Sequence, residues 1–465
     1  MSDKKNQLES KPQSCWDVYT DQAHLDAMDA LAKGYVDFLT ECKTERETIT
    51  KVVERIEAAG FKPDFSADAC YRVMRNKTIF MARKGKRPLS EGFRLAGAHA
   101  DTPRLDLKQH PLYETVGLGL AKTHYYGGIR KYQWLGRPLA LHGLIALKNG
   151  TSVTVCIGED PNDPVFTIAD LLPHLARKQN EAKVSDAFEG EKLNIIIGHA
   201  PEKAETDEKG EKKEAKDPVK KQVLTLLNQR YGITEDDLYS AELQVVPAGP
   251  ARFVGLDSSL IGGYGQDDRS CVYTALEAFL AADQPEHTQI VIFWDKEEIG
   301  SDGSTGAKSL FLEYSLQDLI DAWEPGVRLS KVFMASKALS ADVHAAIDPD
   351  FQDLHEKMNS SLMGYGPVFC KFTGHGGKYM ANDAHAEYVG WLRNLFDTAE
   401  IPWQMAELGK VDAGGGGTVA KELAIYGMDI IDFGPGILGM HSPFELASKA
   451  DIYAVKLAFQ AFLNS

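Results

Sequence analysis

Two adjacent glutamates, Glu297 and Glu298, stand at the end of an apolar run in the sequence V-I-F-W-D-K-E-E-I-G-S-D-G. Neighbouring carboxylates repel each other unless a positive charge lies close to them. A strand that ends here would place the pair at its carboxyl-terminal edge, where open α/β sheets bind their ligands. If the extended backbone continues, the side chains point to opposite sides, so that one could coordinate a metal while the other acts on a water molecule. A solvated strand end is the alternative.

Two further places put imidazole or carboxylate groups beside predicted strands. In A-G-A-H-A-D-T-P, His99 and Asp101 would share one face of a strand, and the carboxylate could accept the second N–H of a metal-bound imidazole. A surface turn before Pro103 is the alternative. Asp267 and Asp268 follow the glycine-rich stretch G-G-Y-G-Q and precede a predicted helix, so helix capping is the alternative for that pair.

The remaining candidates lie towards the carboxyl terminus. Asp342, His344 and Asp348 follow an apolar stretch, where a polar loop is the alternative, and His441 lies in a loop framed by glycine and proline. Together these groups form a nitrogen and oxygen ligand set that suits zinc, manganese or cobalt better than a thiolate site would. Two such ions about 3.5–4 Å apart could share a bridging carboxylate. Their charge would also explain the adjacent glutamates.

The elements that must position these groups follow from apolar periodicity. Residues 16–60 show helical spacing, residues 70–100 read as three strands, and residues 105–160 are rich in short strands. From about 251 onward buried strands alternate with helices, and K-V-F-M-A-S-K-A-L is predicted as one of the strands. This alternation predicts an α/β fold with a mixed, mostly parallel sheet covered on both faces. The β-rich middle is predicted as an insertion, and the charged segment near 201–221 as a solvated loop.

Composition limits the classes of partner. The 465 residues include 43% hydrophobic and 25% charged residues, as in ordinary globular proteins, and carry a net charge of −16. Nucleic acids and anionic membranes require a basic surface, so neither is expected as a partner. The chain has no apolar stretch of about 20 residues and no secretory signal pattern. Its six scattered cysteines predict reduced thiols in a cytoplasmic protein.

Five motifs, H-A-D-T-P, Q-D-D-R, D-K-E-E-I-G-S, S-A-D-V-H and G-M-H-S, occur in this order across the chain. In this order they resemble the M18 family of metallo-aminopeptidases, which includes aspartyl aminopeptidase and vacuolar aminopeptidase I. The resemblance implies a three-layer metallopeptidase domain formed by residues 1–104 and 250–465. It also implies that residues 105–249 form an inserted, β-rich dimerisation domain.

The resemblance also implies the role of each site residue. The implied metal ligands of the two ions are His99, Asp267 as the bridging acid, Glu298, Asp342 and His441. Glu297 would be the catalytic general base, and Asp101 would support catalysis by orienting His99. His174, in L-L-P-H-L-A, would bind substrate in a neighbouring subunit, because the family assembles as tetrahedral dodecamers built from dimers.

The expected activity is therefore hydrolytic removal of the N-terminal residue of peptides at a site with two metal ions. These ions are most simply Zn²⁺, with Mn²⁺ or Co²⁺ as alternatives. A preference for acidic N-terminal residues is the first expectation and a neutral preference the alternative. Asp268 stands where many aspartyl aminopeptidases have Asn, which leaves the bridging role of Asp267 intact and the role of Asp268 open. His344 is displaced and Asp348 stands where a histidine is expected, which weakens the acidic assignment. A related deacylase or carboxypeptidase is the rival enzyme class. A binding protein without activity is disfavoured because every implied ligand is present.

One more motif, V-D-A-G-G-G-G-T at residues 411–418, could bring backbone N–H groups to a substrate. A flexible turn is the alternative. A phosphate-binding loop is disfavoured because no G-K-[ST] follows.

Overall fold

The computed structural model of the protein describes residues 10–203, 216–282, 284–374 and 376–465. The chain divides into two compact units: the first contains Met1–Thr102, Ala251–Met440 and Phe444–Ser465, and the second contains Pro103–Pro250 and His441–Pro443. Most of the predicted charged loop, residues 204–215, lies outside the described residues. Among the described residues, no helix has both the length and the apolar character needed to cross a bilayer.

An eight-stranded sheet forms the centre of the first unit. Its strands are β1 (Ala69–Met74), β2 (Thr78–Arg83), β3 (Phe93–His99), β12 (Thr288–Trp294), β13 (Lys337–Ala341), β15 (Val368–Cys370), β16 (Gln404–Met405) and β17 (Asp429–Gly434). Their order is β1-β2-β12-β3-β13-β17-β15-β16. The four central strands β12, β3, β13 and β17 are mutually parallel, so their carboxyl-terminal ends meet at one edge of the sheet. The α/β class with a mixed sheet, as predicted from the sequence, is confirmed.

Helices cover both faces of this sheet. The helices of the first unit are α1 (Cys15–Val18), α2 (Gln22–Glu41), α3 (Glu45–Ala58), α7 (Gln266–Leu280), α8 (Phe311–Trp323), α9 (Leu329–Met334), α10 (Ala386–Thr398), α11 (Ala420–Ala424) and α12 (Lys449–Leu463). Side chains of α2, α3, α7, α10 and α12 form a core with one face of the sheet, and those of α8, α9 and α11 form a core with the other. Successive residues of β3 alternate between them: Leu95 joins one core and Ala96 the other.

A second sheet of the first unit has five short strands in the order β10-β11-β19-β18-β14. They are β10 (Arg252–Val254), β11 (Leu260–Gly263), β14 (His344–Ala345), β18 (Gly436–Leu438) and β19 (Glu445–Ser448). Because β14 and β18 follow β13 and β17 closely in the chain, this sheet continues from the edge at which the central parallel strands end.

The second unit is built on a six-stranded antiparallel sheet in the order β7-β6-β9-β4-β5-β8. Its elements are β4 (Arg104–Thr115), β5 (Leu118–Tyr126), β6 (Leu139–Ala146), β7 (Ser152–Ile157), α4 (Arg177–Glu181), α5 (Val184–Ala187), β8 (Ile195–Gly198), α6 (Pro218–Tyr231) and β9 (Ala241–Pro247). An apolar cavity of about 430 Å³ is lined by this sheet and by residues of α6 such as Val223 and Leu227.

One strand assignment from the sequence was wrong. The segment K-V-F-M belongs to α9, which ends at Met334, and β13 begins only at Lys337. Val332 and Phe333 are buried whereas Met334 is 73% exposed, so the segment buries one side of a helix. Four apolar residues are too few to separate a helical period from a buried strand.

Candidate metal centre

The end of β3 places an imidazole and a carboxylate inside the first unit. His99 is the last residue of β3 and is 1% exposed, and Asp101 is fully buried two residues later. The ring Nδ1 of His99 lies 3.0 Å from the main-chain oxygen of Asp101 and 3.4 Å from Asp101 Oδ1. A hydrogen bond at Nδ1 fixes the orientation of the ring and directs Nε2 towards neighbouring acids.

The two glutamates do not continue β12 as a strand. The backbone turns at Lys296, whose φ of 70° is left-handed, and Glu297–Ile299 forms one turn of 3-10 helix. The expectation that an extended backbone separates the glutamates onto opposite sides was therefore wrong. Asp101 stabilises this turn, since its Oδ1 accepts the N–H of Glu297 at 3.1 Å and its Oδ2 accepts the N–H of Glu298 at 3.2 Å.

The amino-terminal end of α7 supplies two more carboxylates. Asp267 and Asp268 lie between Gly265, the residue that precedes the helix, and the regular turns of α7, and both have non-helical backbone angles (φ −81°, ψ 104° and φ −116°, ψ 30°). Asp267 Oδ1 lies 3.1 Å from Nε2 of His99. Asp268 is fully buried, and its Oδ2 accepts the main-chain N–H of His99 at 3.4 Å.

The sixth carboxylate, that of Asp342, follows β13. The N–H of Asp342 donates to the main-chain oxygen of Phe433 at 3.0 Å, which continues the pairing between β13 and β17 by one residue. The side chain is 14% exposed, and its Oδ1 lies 3.7 Å from Nε2 of His99. Asp342 therefore reaches the same imidazole from the neighbouring strand.

Within the first unit, two groups of three residues have the geometry of metal ligands. Potential ligand atoms of His99, Glu297 and Glu298 all lie within 4.8 Å of one another, and those of His99, Asp268 and Asp342 do so as well. Both groups share His99. Together the groups contain four carboxylates, those of Asp268, Glu297, Glu298 and Asp342, and Asp267 adds a fifth beside the same imidazole.

The electrostatics of this cluster show an excess of negative charge. Burial raises the pKa of Glu297 to about 8, and the charges of Asp342, Asp101 and Asp267 add to that effect against the opposing charge of His99. Burial also raises the pKa of Asp268 well above 3.8. Burial opposes the charge of His99, but hydrogen bonds to Asp101, Asp267 and Asp342 raise its pKa well above 6.5. Dications bound among these groups would supply the missing positive charge.

Two supporting residues were not identified as such from the sequence. Glu445 is fully buried, and its Oε2 accepts the N–H groups of Gln266 at 2.6 Å and Asp267 at 3.3 Å. Arg269 is fully buried and donates to Thr102 Oγ1 at 2.8 Å. The hydroxyl of Thr102 in turn donates to the main-chain oxygen of Asp267 at 2.9 Å. The motif Q-D-D-R contained Arg269, but nothing local indicated its partners.

Three further histidines were predicted as site residues or noted from the sequence. His441 belongs to the short segment grouped with the second unit, where its Nδ1 lies 3.0 Å from the main-chain oxygen of Gly128. His174 is exposed in a 3-10 turn, Pro173–Leu175, of the second unit. His344 is buried in β14, with its Nδ1 3.0 Å from Ser361 Oγ. The assigned roles of His441 and His174 stay predictions.

The ligand atoms of the cluster are all imidazole nitrogens or carboxylate oxygens, which is the set that zinc and similar dications accept. They lie at the carboxyl-terminal edge of parallel strands, where α/β proteins bind ligands. This combination of fold and donor set defines an α/β protein with a candidate site for divalent metal ions.

The chain belongs to the M18 peptidase family: the family described as aminopeptidase I zinc metalloprotease matches residues 38–463. A probable M18 family aminopeptidase 1 from Clostridium acetobutylicum is 47% identical over 472 residues, covering 99% of this chain and 100% of the relative. The crystal structure of an M18 aminopeptidase from Thermotoga maritima is similar with a TM-score of 0.92 and 43% identity, covering 98% of this chain and 100% of that one. The structure of the S. cerevisiae mApe1 dodecamer shares the fold, with a TM-score of 0.75, 21% identity, and coverage of 94% and 97%. The chain is accordingly a hydrolase of the aminopeptidase class.

Proposed function

We propose that the protein is a two-metal aminopeptidase whose centre is formed by the cluster around His99. The observation that carries the proposal is the gathering of four carboxylates and one imidazole into two overlapping ligand groups, with Asp267 beside the same imidazole. Because the Nε2 lone pair of His99 binds only one ion, two neighbouring ions would need an acid that bridges them. Asp267, 3.1 Å from Nε2 of His99, is the acid proposed for that role.

The proposed ligands extend this cluster. Glu298 and Asp342 would each complete the shell of one ion, with His99 on one ion, and His441, by the sequence resemblance, on the other. Zn²⁺ is the proposed cofactor, in agreement with the description of the family, and Mn²⁺ or Co²⁺ would suit the same nitrogen and oxygen donors. Bound dications of this type polarise a scissile carbonyl and lower the pKa of water towards about 7.

Glu297 is the proposed general base. Its carboxylate is 14% exposed, so it can reach a water molecule, and its Oε2 lies 4.0 Å from Nε2 of His99. The glutamate would take a proton from water as the water oxygen bonds to the scissile carbonyl carbon. It would then give that proton to the leaving amine as the carbon–nitrogen bond breaks. Asp101 contributes by holding the backbone of the turn that carries Glu297.

The preferred N-terminal residue is proposed to be acidic, on the resemblance to aspartyl aminopeptidases. Asp348 in place of the expected histidine favours a neutral residue as the second candidate. Anilides of Asp, Glu, Leu and Lys, assayed beside N-acetylated versions of the same compounds, separate these preferences. Release of acetate from the acetylated compounds, without release of aniline from the compounds that have a free amine, would contradict the aminopeptidase proposal and favour a deacylase.

The variant Glu297→Gln tests the assigned base. It keeps the size and the backbone hydrogen bond of the residue but cannot accept the proton, so we expect turnover to fall by about 10²–10⁴-fold while the bound metal stays within experimental error of wild type. Glu387→Gln, an exposed position in α10, is the matched control. Turnover by Glu297→Gln at near the rate of the control would exclude Glu297 as the base.

Assembly and compartment are also proposals. A homo-oligomer built from dimers, up to a dodecamer, is proposed from the mApe1 dodecamer and the sequence resemblance, with His174 as a residue that serves a neighbouring subunit. Analytical ultracentrifugation tests the mass, and His174→Ala tests the role by its effect on KM. A cytoplasmic location is proposed because all six cysteines are free thiols.

A further inference from the structure

A buried aspartate of β17 holds the glycine-rich segment next to the candidate centre. Asp432 is 4% exposed, and its Oδ1 accepts the hydroxyl of Thr418 at 2.5 Å. Thr418 is the last residue of the motif V-D-A-G-G-G-G-T. A hydrogen bond from this hydroxyl to a buried carboxyl group can fix the end of an otherwise permissive glycine run.

The register of the sheet shows where this anchor lies. Asp432 pairs with Ser340 of β13, and Asp342 follows Ser340 by two residues. Two residues of a strand span about 7 Å, and neighbouring strands lie about 4.8 Å apart. The anchor therefore lies beside the proposed ligand Asp342, at the same edge of the sheet.

The glycines between 414 and 417, here called the glycine loop, have a defined conformation. A Cβ on Gly414 would lie 1.9 Å from the main-chain oxygen of Leu408, so only glycine fits there. Gly414 N–H donates to the oxygen of Lys410 at 2.8 Å, and the oxygen of Gly416 accepts the N–H of Gly374 at 2.7 Å. These bonds fix one side of the loop.

The other side of the glycine loop offers donors. In the part of the chain that the structure describes, the N–H groups of Gly415, Gly416 and Gly417 donate no hydrogen bond. Gly417 is exposed and Gly415 and Gly416 are half-buried. Three successive N–H donors on a fixed backbone could bind the carbonyl oxygens of a peptide main chain. Those oxygens lose hydrogen bonds to water when the peptide binds beside the candidate centre, so new donors would offset that loss.

We propose that Asp432 is a positioning residue that, through Thr418, holds the glycine loop so that its N–H groups bind the main-chain carbonyl oxygens of the peptide substrate. The inference rests on the proposed peptidase function and extends it to substrate recognition. Asp432 itself does not touch the substrate. The peptide is recognised by its backbone, so the effect is independent of the N-terminal side chain.

Two variants of Thr418 test the anchor. Thr418→Val keeps the shape and removes the hydroxyl, and we expect KM for a tetrapeptide to rise about tenfold while kcat changes less than about threefold. KM for an anilide with the same first residue should rise less, since an anilide lacks the later carbonyl groups. Thr418→Ser keeps the hydroxyl and should restore KM to within about twofold of wild type. Thr50→Val, on α3, is the control for the substitution itself.

Two further measurements test the coupling between Thr418 and Asp432 and the local order of the glycine loop. If the two side chains act only through their bond, Thr418→Val combined with Asp432→Asn should be no worse than Thr418→Val alone. Hydrogen exchange, which requires no turnover, should be faster at Gly374 and Gly414 in Thr418→Val than in wild type. Fully additive effects, equal KM changes for peptide and anilide, or a Thr418→Ser variant as impaired as Thr418→Val would each overturn the inference. Unchanged hydrogen exchange would overturn the anchor, whereas wild-type protein that cleaves no peptide at all would overturn the proposed function.

Discussion

The sharpest test of the candidate centre is Asp101→Asn. Both carboxylate oxygens of Asp101 are used, one for the N–H of Glu297 and one for the N–H of Glu298. An asparagine offers one oxygen and one NH₂ group, so one of the two backbone donors must face another donor. The substitution keeps the volume of the side chain, and it therefore reports on hydrogen bonding and charge rather than on packing.

The magnitude follows from these contacts. A hydrogen bond to a charged group contributes about 1.5–3 kcal/mol, and a buried donor left without an acceptor costs about 1–3 kcal/mol. Asp101 is fully buried, so water neither weakens these hydrogen bonds nor replaces the acceptor that the substitution removes. One effect opposes this cost in the metal-free protein, because the charge of Asp101 adds to the repulsion that raises the pKa of Glu297. We therefore expect metal-free Asp101→Asn to lose about 2 kcal/mol of unfolding free energy and the metal-loaded variant to lose more.

The additional loss with metal is the informative quantity. The turn that Asp101 holds carries the proposed ligand Glu298, and groups that orient ligands typically contribute 10–100-fold to metal affinity. Urea unfolding with chelator and with saturating Zn²⁺ measures both free energies, and competition with a chromogenic chelator measures affinity. The control is Asp318→Asn, which removes an exposed carboxylate that pairs with Arg72, and should cost under about 1 kcal/mol in both states. A Zn²⁺ affinity of Asp101→Asn within threefold of wild type would refute the role of Asp101 in positioning the metal ligands.

The remaining predictions concern protons, metal and the backbone near Asp342. Since the pKa of His99 in the metal-free protein is raised well above 6.5 and that of Glu297 to about 8, metal binding at pH 7 should release protons, and calorimetry in buffers of different ionisation enthalpy measures their number. The stabilisation that His99 gives the metal-free protein should be complete below pH 6.5 and be lost as pH rises through the raised pKa, as urea midpoints across that range would show. Chelation should abolish peptidase activity, and added Zn²⁺, Mn²⁺ or Co²⁺ should restore it; activity that survives complete metal removal would contradict a metal mechanism. Gly434→Ala places a Cβ 2.0 Å from the main-chain oxygen of Asp342, so it should cost about 3 kcal/mol or more and weaken metal binding, whereas Gly390→Ala, with no atom within 4 Å, should not destabilise the protein.

The fold was predictable where a local signal decides the structure. The runs F-R-L-A-G-A-H and T-Q-I-V-I-F-W are apolar over the length of a buried strand, and they form β3 and β12 as predicted. The segment K-V-F-M was not predictable in this way, because a run of four mainly apolar residues is equally typical of one helical turn packed on a core and of a short buried strand. Its assignment depends on Val332 and Phe333 meeting the core beside α8, which no local pattern records.

The candidate site shows the same division. Residue types near strand ends pointed to Glu297 and Asp342, because such positions lie at one edge of a parallel sheet whatever the loops do. The conformation of the glutamate turn was not predictable, because Lys296 has a left-handed backbone and a lysine gives no sequence signal for that conformation. The turn exists because Asp101, far away in the chain, accepts both of its N–H groups.

That contact also changes what the adjacent glutamates require. Two neighbouring carboxylates seemed to need only a nearby positive charge, which metal ions would provide. The structure shows that their backbone is held by a third carboxylate, which adds to the negative charge instead of relieving it. Such an arrangement is favourable only if the gain in positioning exceeds the added repulsion, or if bound cations offset that repulsion. The difference between the effects of Asp101→Asn with and without metal measures the balance directly, because metal binding removes the repulsion and leaves the positioning.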